Sequence, residues 1–309
     1  MSPHCRPARH SRIALASLAL AAPTMTGHAA LGQDLRLVDV AVVEDLRVDG
    51  EKFGEFSALV ADPTGGGVIA VSDRGYLARI GVATDGGRLS LTLPETLQVL
   101  TGPEGNPVRD ADFNPEGAAL LADGTIAIVS ESGPTLAVFD QSGAWLRHEK
   151  LPTGLQDATR QSSPKDGIEA LAWTEATGFL AMLEEPAMGE PRNDHRLHSI
   201  RAGVIAMDLP GTESISIKGM EIVGHTLLIL ERTRGDASDA LYPYLRRADL
   251  AACLAAAACT GTAIPIPVPG ISDADFEGLA VLPDSHLLIV SDDKIDGRVR
   301  SVFALLRLE

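Results

Sequence analysis

Five stretches of this sequence place carboxylates at both ends of the same apolar pattern, and those carboxylates are the residues with chemistry to offer. Glu55-Phe56-Ser57-Ala58-Leu59-Val60 leads to Val68-Ile69-Ala70-Val71-Ser72-Asp73-Arg74, and Glu116-Gly117-Ala118-Ala119-Leu120 leads to Ile126-Ala127-Ile128-Val129-Ser130-Glu131. Glu169-Ala170-Leu171-Ala172-Trp173 leads to Phe179-Leu180-Ala181-Met182-Leu183-Glu184-Glu185. Lys218-Gly219-Met220-Glu221-Ile222 leads to Leu227-Leu228-Ile229-Leu230-Glu231-Arg232, and Glu277-Gly278-Leu279-Ala280-Val281 leads to Leu287-Leu288-Ile289-Val290-Ser291-Asp292-Asp293. Taking Glu55, Glu116, Glu169, Glu221 and Glu277 as the leading acids, the steps are 61, 53, 52 and 56 residues. In the fourth copy the glutamate stands later in the run, and its register is the loosest.

Carboxylates crowded in one place raise one another's pKa unless a cation intervenes. A hard, oxygen-binding cation answers that need, Ca²⁺ above all, with Glu55, Asp73, Glu116, Glu131, Glu169, Glu221, Glu277 and Asp292 as candidate ligands. The second answer is ion pairing without metal, supplied by the arginines Arg74 and Arg232, with Lys165, Lys218 and Lys294 also expected on this face. The bland alternative is that each leading glutamate caps backbone N–H groups of a neighbouring repeat and only locks the structure.

The elements that must position these residues follow from the repeat. Each copy is a short apolar strand, a turn and a second apolar strand, with turn residues at Pro63-Thr64-Gly65-Gly66-Gly67, Asp123-Gly124 and Pro283-Asp284-Ser285. Neither strand alternates, as expected of strands buried on both faces. More polar stretches follow, such as 136–140 and 302–307, and read as outer strands. Four strands per unit, repeated radially, predict an all-β fold, a β-propeller. The repeat counts five blades, with six possible if 76–108 or 186–217 hides a degenerate one. The last blade lacks its fourth strand, which residues 35–48 can supply, closing the ring. Antiparallel pairing sets the start of one strand beside the end of the next. Both sets of acids therefore share one mouth of the channel, joined by loop acids Asp110, Asp112, Asp273 and Asp275.

Other chemistries find less support. No Gly-x-Ser-x-Gly elbow exists. Asp110-x-Asp112-x-Asn114 starts like a calcium loop, but Pro115 stands where an EF-hand needs glycine. His195 and His198 have a ligand-like spacing within polar neighbours and read as solvated loop.

The remaining signals concern compartment and partners. Residues 1–30 carry Arg6, Arg9 and Arg12, an apolar run from Ile13 to Pro23, and small residues up to Ala29 and Ala30. That order predicts a secretory signal peptide and a mature domain over 31–309, periplasmic or secreted, with no membrane span. Loss of the three arginines takes the formal net charge from −16 to −19. Such acidity argues against nucleic acid as a partner. Cys253 and Cys259 are expected to form a disulfide in an oxidising compartment.

With those residues laid out, the chain resembles the phytase-like ("esterase-like activity of phytase") family of exported bacterial proteins. Ser72-Asp73-Arg74-Gly75, Glu116-Gly117, Leu230-Glu231-Arg232, Phe276-Glu277-Gly278-Leu279-Ala280 and Val290-Ser291-Asp292-Asp293 carry the resemblance. It implies a propeller that hydrolyses phosphoric or other esters of small molecules at an acidic, Ca²⁺-binding face, acting as a monomer. The resemblance carries over only an acidic face; in the hydrolase reading of these residues, Glu231 or Glu277 takes a proton from water, and Arg74 and Arg232 stabilise charge on the reacting group. The alternative is a non-catalytic binding propeller in which the acidic ring is structural.

Overall fold

The computed structural model describes residues 34–108, 113–163, 166–209, 214–234, 241–271, 273–295 and 297–309. The expected signal peptide, Asp110, Asp112 and Lys165 lie outside them. The chain begins with β1 (Leu35–Glu44) and then builds four-stranded groups. The first is β2 (Phe56–Ala61), β3 (Gly67–Ser72), β4 (Tyr76–Asp85) and β5 (Arg88–Thr92). The second is β6 (Pro115–Leu120), β7 (Ile126–Ser130), β8 (Thr135–Phe139) and β9 (Trp145–Glu149). The third is β10 (Ile168–Thr174), β11 (Gly178–Leu183), β12 (Arg196–Ser199) and β13 (Gly203–Asp208). The fourth is β14 (Ile215–Val223), β15 (Thr226–Arg234), β16 (Leu241–Asp249) and, after the short helix α1 (Leu250–Ala256), β17 (Ala258–Pro265). The last is β18 (Phe276–Leu282), β19 (His286–Ser291) and β20 (Arg298–Leu308).

β1 completes the last group. It pairs antiparallel with β20 from Leu35 opposite Leu308 to Glu44 opposite Arg300. The first strands β2, β6, β10, β14 and β18 each contact the next in order, and β18 contacts β2, so the groups close into a ring. This is a β-propeller with its N-terminal strand closing the last blade. The long segments 76–108 and 186–217 supply outer strands of the first and third groups. At the rim β13 and β17 pair in parallel, Met207 opposite Cys259, so that two groups share one eight-stranded sheet. The disulfide between Cys253 and Cys259 ties α1 to β17 at that joint.

The continuous apolar runs now have a physical cause. Each blade packs a neighbour on both faces, so a strand needs apolar residues at odd and even positions alike. On β15, Leu227 and Ile229 join the core towards the third group, while Leu228 and Leu230 join the core towards the last. A fully buried side chain of this kind contributes about 1.5–3 kcal/mol. The glycine after the leading residue is also explained. A Cβ on Gly117 would stand 2.6 Å from the Glu169 carbonyl oxygen, and one on Gly219 would stand 2.7 Å from that of Glu277. Adjacent inner strands approach backbone to backbone at these points, which only glycine allows.

Candidate functional site

Each inner strand carries a β-bulge near its start. The extra residue is Ser57, Glu169, Lys218 or Glu277 in four groups, and Glu116 occupies the corresponding shift in the second. A bulge re-aims one side chain out of the ladder. The aimed side chains meet in the channel. Carboxylate oxygens of Glu116, Glu169 and Glu277, all buried, lie within 4.8 Å of one another. Lys218 Nζ donates to Glu169 Oε1 at 2.5 Å, to Glu277 Oε1 at 2.7 Å and to Glu184 Oε1 at 2.8 Å. The channel mouth is thus a buried acidic cluster that holds the Lys218 ammonium.

A second tier follows the strands that pair with these. Asp73, Glu131, Glu184 and Asp292 donate their backbone N–H to the carbonyls of Glu55, Asn114, Gly167 and Asp275, at 2.9–3.0 Å, so both acid sets do share one end of the blades. Arg232 holds the equivalent place in the fourth group, opposite Ser216. It binds Glu184 Oε1 at 3.1 Å and also Asp275. Asn114 Nδ2 bridges Glu116 Oε1 (2.7 Å) and Glu131 Oε2 (2.8 Å). Asn114 Oδ1, Asp275 Oδ1 and Asp292 Oδ1 are buried and receive no donor among the described residues.

Burial, reinforced by Glu169, Glu277 and Glu131, pushes Glu116 well above the usual carboxylate range. Burial also raises Glu169 well above it, with Lys218 opposing. For Glu277 burial outweighs the lysine and brings the pKa to about 7. Burial and the charges of Glu277, Asp73 and Asp275 bring Asp292 to about 8. Burial pulls Lys218 down, but Glu169, Glu277 and Glu184 overcome it and raise Lys218 well above an ordinary lysine. Among the described residues Glu116 hydrogen-bonds to the Asn114 amide and to no cation, which makes it the natural holder of a proton in the cluster. The all-oxygen set of Glu116, Glu169 and Glu277 also has the donors to hold a metal ion.

Three sequence expectations need correction. Glu221 does not join the cluster. The fourth group starts its ring register at Lys218-Gly219, and Glu221 lies further along β14, opposite Leu228. Glu55 precedes its bulge by two residues. Buried, and with a left-handed φ of 52°, it pairs with Arg74 Nη1 at 2.9 Å and with Lys294 Nζ. His195 and His198 are buried rather than solvated, because Leu197 between them anchors β12 in the core. Burial lowers both imidazoles to about 4.

Glu231 does not point into the cluster's three-carboxylate centre either. Arg246 engages both its oxygens, through Nε to Oε1 and through Nη2 to Oε2 at 3.0 Å, and both side chains are 2% exposed. Arg74, by contrast, is partly exposed and borders an open cleft of about 520 Å³ with Glu51, Glu55, Asp73, Val108 and Lys294. Arg246 and the central place of Lys218 were not singled out by sequence, and Asn114 stood there only in the calcium-loop pattern that Pro115 rules out. Aligning the repeats on Gly117, Gly219 and Gly278, rather than on glutamates, would have put Lys218 in the ring.

A protein-family model described as "Phytase-like: Esterase-like activity of phytase" matches residues 51–295. No curated protein sequence matches the chain. Among solved structures, the chain is similar to a streptogramin B lyase (10% identity, TM-score 0.40, 85% of this chain and 97% of that one). It is similar also to the Pan2 WD40 domain of Neurospora crassa (10% identity, TM-score 0.37, 91% and 98%).

Proposed function

Because the chain belongs to the phytase-like family, described by esterase-like activity of phytase, we propose that it hydrolyses phosphoric or other esters of small molecules at the acidic mouth of the channel. The observation that carries this reading is the convergence of three buried carboxylates from three blades, one of them with a pKa about 7. A group that titrates near neutrality suits proton transfer. Glu277 would take a proton from the attacking water, and Glu116, held protonated by its surroundings, would deliver one to the departing alcohol. Glu231, bound on both oxygens by Arg246, is replaced in the first role by Glu277. Arg74 faces the cleft and would meet the charge that develops on the reacting group. Arg232, tied to Glu184 and Asp275, would hold the second tier in place.

Glu169 and Glu277 as carboxylates, with Glu116 offering only its carbonyl oxygen while protonated, would hold Ca²⁺, whose charge lets an anionic ester approach an acidic mouth and acidifies a bound water. Asp73, Glu131 and Asp292 would lie around it, whereas Glu55 and Glu221 stand outside that donor set. Residues 1–30 would direct the protein out of the cytoplasm, and the Cys253–Cys259 disulfide supports an oxidising destination. No described helix is long and apolar enough to cross a membrane.

One observation favours a second reading, a binding propeller without catalysis. Lys218 joins glutamates of the third and last groups, and such a network can serve to lock inner strands together. Hydrolysis of phytate, 4-nitrophenyl phosphate and 4-nitrophenyl acetate, measured with Ca²⁺ and with chelator, separates the two. Calcium-dependent turnover of any of the three supports the enzyme. Absence of turnover on all of them supports the binding protein.

A further inference from the structure

The cleft beside Arg74, of about 520 Å³, lies at the same end of the blades as the acidic mouth. Tyr76 stands opposite Ser72, the residue before Asp73, and Val99 pairs opposite Tyr76. Asp73 lines the cleft and is close enough to Asp292 for its charge to add to burial and Glu277 in raising that carboxyl. Lys294 follows Asp292 by two residues and lines the cleft from the last blade.

Two cations share one carboxylate in this cleft. Glu55 pairs through Oε2 with Arg74 Nη1 at 2.9 Å and through Oε1 with Lys294 Nζ. The Glu55 side chain is 2% exposed, whereas those of Arg74 and Lys294 are 36% and 58% exposed. An ammonium has three N–H donors and a guanidinium five, so both cations keep donors for the open side. Glu51, at the rim, takes one from Arg74 Nη2 at 3.4 Å. The backbone under the pair is pinned. A left-handed φ of 52° is unfavourable for glutamate, and such strain persists only where the surroundings fix it. Here Tyr76 Oη accepts the Gly54 N–H at 2.9 Å and Ser72 Oγ donates to the Gly54 carbonyl at 2.9 Å. A Cβ on Gly54 would collide with the Val299 side chain of the last blade. Much of the remaining lining is apolar, with Leu97, Val99 and Val108, and Val99 is 44% exposed.

We infer that this cleft is a receptor for an oxyanion carried on an apolar body, in which Arg74 and Lys294 bridge the anion as they bridge Glu55, and Glu55 is their positioning residue. Glu55 holds the two cations at the separation of one carboxylate's oxygens. A phosphate or carboxylate on the open side then meets both at once, with little left to order. The apolar body lies along Val99 and Leu97. Binding goes beyond the hydrolase reading and stands without it. Where that reading holds, the anion is the phosphoryl group of the ester, Lys294 joins Arg74 in contacting it, and phosphoric esters of apolar alcohols are the favoured substrates.

The test is calorimetry of the full-length protein in chelator with phenylphosphonate, which has the anion and the apolar body but no ester bond. Saturable heat is expected. Affinity should fall about tenfold in Arg74→Met and in Lys294→Met, the worth of one charged hydrogen bond. Val99→Ser should weaken phenylphosphonate and leave inorganic phosphate unchanged. Glu55→Asp keeps the charge, shortens the arm and suits a positive φ better than glutamate. It should weaken phenylphosphonate about tenfold while circular dichroism shows a folded propeller. Phenylacetate, titrated in parallel, tells which oxyanion is preferred, and saturable binding of either supports the receptor. No saturable heat with either anion, or phenylphosphonate affinity unchanged in Lys294→Met, Val99→Ser or Glu55→Asp, would overturn the inference. The two readings fail separately. Phenylphosphonate binding without turnover of any ester removes the hydrolase and leaves the receptor. Turnover of 4-nitrophenyl phosphate with the same KM in Lys294→Met removes the receptor and leaves the hydrolase.

Discussion

Lys218 Nζ of the fourth blade donates to Glu277 Oε1 of the last at 2.7 Å, so the cation at the centre of the acidic mouth is part of the chain. The same nitrogen holds Glu169 and Glu184, and the lysine is 4% exposed. Replacing it by Met should leave carboxylates buried without their partner. Breaking a buried ion pair costs about 3–5 kcal/mol. Urea denaturation in chelator should show a loss of that order for Lys218→Met. Added Ca²⁺ should restore more stability to the variant than it adds to wild type, because the divalent ion then faces no competing ammonium.

Glu116 makes the contrasting prediction. Its carboxyl is raised well above the usual range by burial, and among the described residues it accepts from the Asn114 amide. Gln reproduces the shape of the protonated acid. Glu116→Gln should therefore melt within a degree or two of wild type in chelator, yet lose ester hydrolysis by about 10²-fold or more, the usual worth of an acid–base group. A stability loss comparable to that of Lys218→Met would give Glu116 a locking role instead.

The pH dependence of stability follows from Glu277 at about 7 and Asp292 at about 8, both raised from the unfolded range by burial first. The folded state then binds more protons than the unfolded state between those values and the ordinary carboxylate pKa. Their stabilising contribution is complete below about pH 4 and is lost as pH rises through 7 and 8. In chelator the melting temperature should fall from about pH 4 to about pH 8 and level off above it. The double variant Glu277→Gln with Asp292→Asn should flatten that fall.

Glu231 and Arg246 form an ion pair in which each side chain is 2% exposed. Arg246→Met leaves Glu231 buried without its cation and should cost about 3–5 kcal/mol. Activity per folded molecule should stay close to wild type at a temperature where the variant is folded. A specific loss of kcat without a change in melting temperature would return Glu231 to the catalytic group.

Much of this was legible in the sequence because a propeller writes its architecture as a repeat. The paired apolar runs marked β2 with β3, β6 with β7 and their counterparts, and residues 35–48 were recognisable as holding the strand missing from the last blade, which the structure ends at Glu44. Glu116, Glu169 and Glu277 could be drawn together because antiparallel pairing leaves their strand starts at one mouth. What escaped depends on single-residue register. Matching glutamate to glutamate put Glu221 in the ring, whereas the bulge and the close backbone approach at Gly219 select Lys218. Glu55 misled for the same reason, with Ser57 holding its bulge. Pairing across blades, as in Lys218 with Glu169 and Glu277, joins residues 49 and 59 positions apart and leaves no local pattern. His195 and His198 looked solvated from their charged neighbours, and only the burial of Leu197 shows otherwise.

The central claim is that the three converging glutamates hydrolyse an ester. The most direct measurement is the initial rate of phosphate release from phytate and of 4-nitrophenol release from 4-nitrophenyl acetate, in Ca²⁺, by wild type and by Glu116→Gln with Glu277→Gln. Turnover by the wild type, falling at least 10²-fold in a double variant that remains folded, is the predicted result. Equal rates for the two proteins, or no release from either substrate, would contradict it.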